Sequence, residues 1–242
     1  MKKITKKILS VVIVISLLLC SSLAFSASAY KVNIYEENVC DYLGTEFSGI
    51  TYYGTPGEYM AFDYSGPDED YEYVDAISLD SGVFECIYDE ETGFVTDLWA
   101  VDNGVALIYI YFLDEEWNLV DDYYALVVVS DGTDLGEVTD VEMDDVTLNY
   151  NEYGYIGPDV YGYGDEGAYY CTLYNYDYDN SPFYLDNDGF IDSSYGRGTD
   201  YAECYVIDAQ GNIFCESFEI EVKFSPIQWI IYYLIFGWIW WN

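Results

Sequence analysis

Across 242 residues, 45 Asp plus Glu stand against 7 Lys plus Arg with no histidine, a formal net charge of −38. That balance excludes nucleic-acid binding, which needs clustered cations; the missing imidazole removes the commonest general base, the usual Ser and Cys triads and most zinc sites. With 52% apolar residues the chain has ample material for a packed core, so its charge does not place it among disordered proteins.

Residues 1–29 read as a secretory signal peptide. Lys2, Lys3, Lys6 and Lys7 precede an apolar run from Ile8 to about Leu19, and Ala27-Ser28-Ala29 forms a cleavage box before Tyr30. Leu19 before Cys20 does not fit a lipoprotein site, where a small residue is needed. Cleavage leaves only Lys31, Arg197 and Lys223 against every acid of the chain. Such a protein repels anionic lipid and acidic glycans unless divalent cations intervene.

From Tyr30 to Lys223, short runs rich in Tyr, Val, Ile and Phe alternate with Gly, Asp and Asn clusters, which predicts an all-β sandwich or barrel. Strands are predicted at Val105 to Leu113, Tyr123 to Ser130, Tyr169 to Tyr176, Tyr201 to Asp208 and Ile213 to Phe224. One short helix is predicted around Asp114 to Asn118. The turn-rich Asp131 to Gly136 segment divides the chain into blocks 30–134 and 135–223, each the size of one immunoglobulin-type sandwich.

In the first block, Ser81 to Ile87, then Thr92-Gly93-Phe94-Val95-Thr96, then Asn103-Gly104-Val105 to Ile110 resembles the bacterial Ig-like repeats of the group 2, invasin and intimin type. Gly93 suits the positive φ of a hairpin turn, and Gly104 opens a strand that closes the sandwich. Cys40 and Cys86 are not typical of that family, and Tyr30 to Tyr73 carries no motif of it. In the second block, Tyr201, Cys204, the Asp208-Ala-Gln-Gly-Asn212 hairpin and Glu219 to Val222 resemble the last two strands of an Ig-like domain. Tyr201 lies three residues before Cys204, where a tyrosine corner has two. Tyr169-Tyr170-Cys171 keeps that shorter spacing, and either cysteine could mark the penultimate strand, with Cys204 preferred. The resemblance implies adhesion or scaffolding at a bacterial cell surface.

The end, Phe224 to Asn242, has no charge and contains Trp229, Trp238, Trp240 and Trp241. From Pro226 about 16 helical residues would span roughly 24 Å, against about 30 Å of hydrocarbon. Residues 226–241 are therefore expected to be a short membrane segment with aromatic belts at both ends. An interfacial helix and a buried strand are the rival readings.

No catalytic, cofactor-binding or metal-ligating residue stands out. Cys204 and Cys215 flank the Asp208 to Asn212 turn and are the first disulfide candidates; Cys40 with Cys86 is the second. Acid clusters occur at Asp68-Glu69-Asp70, Asp89-Glu90-Glu91, Asp177 to Asn180 and Asp186-Asn187-Asp188-Gly189. The last fails as a calcium loop, because tyrosines (Tyr184 and Tyr195) fall where carboxylates are needed. Calcium held between loops is the one cofactor left open. Tyr150 to Tyr163, interleaved with Gly154, Gly157 and Gly162 ahead of Gly164, is the most ligand-like loop, although filling sandwich cores and strand faces is the commoner role for such tyrosines. The expected protein is two tandem Ig-like β-sandwiches with an N-terminal signal peptide and a short C-terminal hydrophobic helix. It is exported, anchored at the cell surface and non-catalytic, with a membrane and an unknown protein or glycan as partners. The alternative is a carbohydrate-binding module that uses Tyr-rich loops, with calcium assistance left open.

Overall fold

The computed structural model describes residues 30–33, 46–64, 66, 71–163, 168–175 and 180–236. The signal peptide at 1–29, Cys40 and residues 237–242 lie outside the described residues. The fold is mostly β, in two sandwich-like bodies, with a short helix near the C-terminus.

The chain begins with β1 (Tyr30–Asn33) and then builds the first body. β2 (Glu46–Gly54), β8 (Leu119–Val129), β7 (Gly104–Leu113) and β4 (Tyr73–Ser78) form one sheet in that order; β3 (Tyr59–Ala61), β6 (Val95–Ala100) and β5 (Phe84–Tyr88) form the other. The β7–β8 hairpin is the spine. Its register pairs Ile110 with Tyr123 and Ala106 with Val127 on one face, and Tyr109 with Tyr124 and Leu107 with Leu126 on the other. Val105 to Ile108 are each at most 1% exposed, so both faces of the hairpin are covered. Unbroken apolar runs such as Ala125 to Val129 mark strands of this kind. Gly93, at φ 77°, turns β5 into β6, and its N–H donates to the Asp89 carbonyl at 2.8 Å. Gly104 starts β7 against Val83, whose Cγ2 would lie 2.6 Å from an added Cβ.

The helix predicted around Asp114 to Asn118 is instead the β7–β8 turn. Asp114 Oδ1 accepts the N–H groups of Glu116 at 2.9 Å and Asn118 at 2.8 Å, and Trp117 adopts φ 67°. A short acid that captures nearby amides outcompetes the helical ladder.

The second body contains β9 (Gly136–Glu142), β10 (Val146–Asn149), β11 (Tyr153–Tyr155), β12 (Asp159–Tyr163), β13 (Tyr169–Tyr174), β14 (Tyr184–Leu185), β15 (Phe190–Asp192), β16 (Gly198–Asp208) and β17 (Asn212–Lys223). Its main sheet runs β1-β17-β16-β13, with β10 pairing β17 in parallel. The β12–β9 pair and the β11-β15-β14 sheet complete the body around Phe183, Ile191, Phe214, Phe218 and Ile220. Residues 30–33, in the first block by the division at 134/135, pair with Asn212 to Cys215 in this second sheet.

The two bodies share a core. Leu135, Ala168, Tyr170, Tyr205, Ile207 and Ile213 of the second block cluster with Leu107, Leu126 and Val128 of the first. The β16 and β17 strands alternate accordingly. Tyr205, Ile207 and Ile213 join the shared core, while Cys204, Val206 and Phe214 face the interior of the second body.

Candidate functional site

The Tyr150 to Tyr163 segment divides by strand alternation. Tyr153 and Tyr155 sit two apart on β11, and their partners across β15 are Asp192 and Phe190; Tyr184 of β14 also pairs with Asp192. These residues share one face of the three-stranded sheet. The opposite face carries Gly154, Ile191 and Leu185, of which Ile191 and Leu185 are buried. Tyr153 is 79% exposed and Tyr155 75%, and Tyr155 meets Phe190 edge-on at 5.5 Å. Tyr195, also exposed, lies 6.5 Å from the Tyr184 ring. The result is an outward aromatic face beside Asp192, able to lie against the apolar side of a sugar ring while a carboxylate takes hydroxyl hydrogen bonds.

Buried polar contacts support that face from below. Ser193, fully buried, accepts the Glu152 N–H at 2.9 Å, and its Oγ lies 2.7 Å from the Asn149 carbonyl oxygen. Gly189, at φ 90°, turns β14 into β15 with the Ile156 carbonyl oxygen only 2.1 Å from the position a Cβ would take. Asp186 and Asp188 accept the turn amides of Asn187 and Phe190, so the acidic tetrad is a hairpin turn. Two other tyrosines of the segment behave differently. Tyr150 packs edge-on against Phe224 at 5.4 Å, and Tyr161 donates to Glu142 at 3.2 Å, which raises the pKa of its phenol.

A second aromatic group, on the first body, has no signature in the sequence. Tyr73 stacks on Phe94 at 5.1 Å and on Trp117 at 4.9 Å, with interplanar angles of 15° and 16°. The left-handed turn at Trp117 carries its ring back over these neighbours and leaves it 61% exposed. A positive φ at a bulky residue is costly, and no pattern in Asp-Glu-Glu-Trp-Asn announces it.

Cys204 and Cys215 do not face each other as the sequence suggests, and the Cys40–Cys86 expectation lies outside the described residues. In the β16–β17 register Cys204 faces Glu216 and Cys215 faces Tyr205, so the two side chains emerge on opposite faces. Cys215 packs on the shared core and Cys204 in the second body's own core. The sulfur of Cys204 instead lies 3.9 Å from that of Cys171 on β13. β16 is the penultimate strand, as expected for Cys204; Tyr201 is exposed and donates to Glu219 at 3.2 Å. Cys171 also borders a cleft of about 460 Å³ where the bodies meet. Leu79 and Asp80 line it from one side, and Tyr169, Tyr170 and the Asp186 to Asp188 turn from the other. Among the described residues no cluster of three or more His, Cys, Asp or Glu is arranged to hold a metal ion.

The chain leaves the second body through helix α1 (Pro226–Phe236). Ser225-Pro-Ile-Gln228 forms a capping box: Ser225 N–H donates to Gln228 Oε1 at 2.8 Å, and Gln228 N–H donates to Ser225 Oγ at 3.3 Å. Gln228 Nε2 also donates to the Tyr150 carbonyl at 2.8 Å. Arg197 lies over the rings of Trp229 (4.8 Å), Phe224 (5.5 Å) and Tyr232 (5.9 Å). Beyond this anchorage Ile227, Ile230, Ile231, Tyr233 and Leu234 are exposed. At 11 residues α1 is about 16 Å long. No helix among the described residues is long and apolar enough to cross a membrane, so a transmembrane helix is not seen in them.

No protein family matches the chain, and no curated protein is similar to it. Solved structures give loose likenesses. PcdhgB3 EC1-4 is 13% identical with a TM-score of 0.27, covering 72% of this chain and 48% of its own. The N-terminal Ig1-2 module of the Drosophila receptor protein tyrosine phosphatase DLAR is 16% identical with a TM-score of 0.26, covering 72% and 94%. The fibronectin(III)-like modules of Clostridium thermocellum CbhA are 11% identical with a TM-score of 0.25, covering 75% and 93%. The chain thus spans about half of the first of these and nearly all of the other two. Likenesses of this size carry no argument about function.

Proposed function

We propose that the chain is an exported, non-catalytic protein of the bacterial cell surface, with an adhesion, binding or spacer role and a C-terminal tether at residues 226–241. Its two Ig-like units divide at 134/135, with β1 lent to the second. The observation that carries this reading is α1: pinned at its first turns by Arg197 and Gln228, it presents isoleucine, leucine and tyrosine outward with no charge along its length. A water-exposed helix of that composition is stabilised by an apolar environment such as a bilayer interface. The cleavage box before Tyr30 supports export, and the absence of histidine from the whole sequence supports a non-catalytic role.

Deleting 226–242 tests the tether. The truncated protein is expected in the culture medium and the full chain in the membrane fraction; truncated protein that stays with the membrane refutes it. A second reading, carbohydrate binding, is favoured by the outward face of Tyr153, Tyr155, Phe190 and Asp192. It predicts glycan-array signals, with or without calcium, that are lost in the Tyr153→Ala/Tyr155→Ala double variant. An array blank under both conditions eliminates it.

A further inference from the structure

We infer that Cys171 and Cys204 are the two halves of a cross-strand disulfide bond stapling the edge strand β13 to β16. Closure in the cell rests on the export reading above, since only an oxidising compartment sustains such bonds.

The register places the pair. Cys171 lies opposite Val206 and Cys204 opposite Leu173, so the two cysteines are diagonal neighbours on one face of the sheet. Their sulfurs are 3.9 Å apart as thiols. A disulfide spans about 2.05 Å, so closure needs about 1.9 Å of approach; diagonal neighbours stand about 7–8 Å apart, beyond the usual Cα separation of a disulfide, so the edge strand β13 shifts toward β16 as the bond forms. The other described thiols are placed elsewhere. Cys215 points to the opposite face, and Cys86 sits on β5 of the first body across from Leu98.

The surroundings also give the chemistry an order. Cys171 is partly exposed and borders the cleft between the bodies, whereas Cys204 is fully buried. The contact between them lowers the pKa of the Cys171 thiol through the hydrogen bond from Cys204 and raises that of Cys204. The Cys171 thiolate attacks a donor disulfide, such as glutathione disulfide or an oxidised dithiol oxidoreductase, and expels one donor thiolate. The Cys204 sulfur, giving up its proton to that thiolate, then attacks the Cys171 sulfur and expels the second donor thiolate, which takes up the Cys171 proton from solvent. Two electrons and two protons pass to the donor, which leaves as two thiols. A bond closing 33 positions of chain removes denatured-state freedom and holds β13 at the cleft wall.

The test uses the purified mature chain in a glutathione redox buffer, followed by alkylation, intact mass and peptide mapping. The expected results are a mass loss of about 2 Da, a cross-linked peptide pair containing Cys171 and Cys204, and a thermal midpoint raised by about 10 °C that dithiothreitol reverses. Cys171→Ser, at the partly exposed position, is expected to fold and to lose all three effects. Cys204 linked to Cys215, or both thiols alkylated after oxidation of the folded chain, overturns the inference in any compartment. The same mapping on protein from the producing cells separates the two readings. A chain starting at Tyr30 with free Cys171 and Cys204 overturns the bond in the cell. A chain that retains residues 1–29 in the cytosol yet closes the bond in redox buffer overturns export alone.

Discussion

Asp208 is the most consequential single side chain in the second body. It is 0% exposed at the start of the β16–β17 turn, which Gly211 completes at φ 75°. Its Oδ1 accepts from the N–H groups of Asn212 at 2.8 Å and Gln210 at 3.0 Å; its Oδ2 accepts from Asn212 Nδ2 at 2.7 Å and from the Val138 N–H at 3.3 Å. Val138 belongs to β9 in the facing two-stranded sheet, so one carboxylate both shapes the hairpin and ties it across the sandwich. Hydrogen bonds to a charged acceptor contribute about 1.5–3 kcal/mol each, but not additively. Gln210 is exposed and finds water in the variant, leaving the buried donors of Val138 and Asn212 to set the loss. Asp208→Ala is therefore expected to destabilise by about 3–5 kcal/mol, a fall in thermal midpoint of about 10 °C. Asp208→Asn retains one acceptor but sets an amide NH2 against Asn212 Nδ2, and is expected to cost about half as much. Urea and thermal unfolding of the purified chain measure both. A loss below about 0.5 kcal/mol in both variants would mean that the turn amides find partners elsewhere, and would refute the clamp.

Four further outcomes are expected. Gly189→Ala forces a Cβ onto the Ile156 carbonyl in a left-handed conformation, and unfolding is expected to show a loss of about 2–4 kcal/mol. Arg197→Ala removes the cation over the Phe224 ring and the Trp229 and Tyr232 rings of the tether; a loss of about 1–2 kcal/mol is expected, with Trp229 emission shifted to the red as α1 detaches. Glu216 has its carboxyl pKa raised by burial and by Asp140, Glu142 and Asp144 around it, and its Oε2 is buried without a partner. A raised acid binds protons more tightly when folded, so its contribution is complete below the ordinary glutamate value and is lost as pH rises through the folded one. Glu216→Gln is thus expected to melt higher than the parent at pH 7, with the gap closing near pH 4. Tyr111→Phe leaves the Asp75 Oδ2 without its 2.8 Å donor, at an expected cost of about 1–2 kcal/mol by urea titration.

What the sequence made legible was local. Val105 to Leu113 and Tyr123 to Ser130 are apolar enough on both faces to be strands wherever they are packed, and Gly93 and Gly211 sit where hairpins need a positive φ. Register was not legible. Cys204 and Cys215 look symmetric about their turn, yet the pairing of Ile207 with Ile213 offsets them by one residue and sends them to opposite faces. Long-range partners were equally hidden. β1 has four residues and no signature that points across the whole first body to β17. Of the aromatic surface, the Tyr150 to Tyr163 segment was visible because its tyrosines alternate with glycine. The Tyr73, Phe94 and Trp117 stack was not, because its members come from three separate segments.

The abundance of tyrosine and the scarcity of lysine and arginine have one physical explanation in this fold. Sheets of ordinary composition cross-link their exposed faces with Lys–Glu pairs. Lys223 pairs with Glu221 at 2.6 Å, but with 7 Lys plus Arg against 45 Asp plus Glu most carboxylates turn to other donors. Tyrosine hydroxyls supply them on strand after strand: Tyr109 donates to Asp122, Tyr111 to Asp75, Tyr161 to Glu142, Tyr201 to Glu219 and Tyr205 to Glu203. Two of these, Tyr111–Asp75 and Tyr201–Glu219, are directly opposite in register. Burial first and then the accepting carboxylate raise the phenol pKa of Tyr109 and Tyr111, and the carboxylate itself raises that of Tyr161 and Tyr201, so these donors stay protonated across the physiological range. A neutral donor leaves the negative charge in place. The surface therefore satisfies its carboxylates strand by strand and keeps its net repulsion, which favours partners that meet its sheets as cations or through exposed rings such as Tyr153, Tyr155 and Trp117.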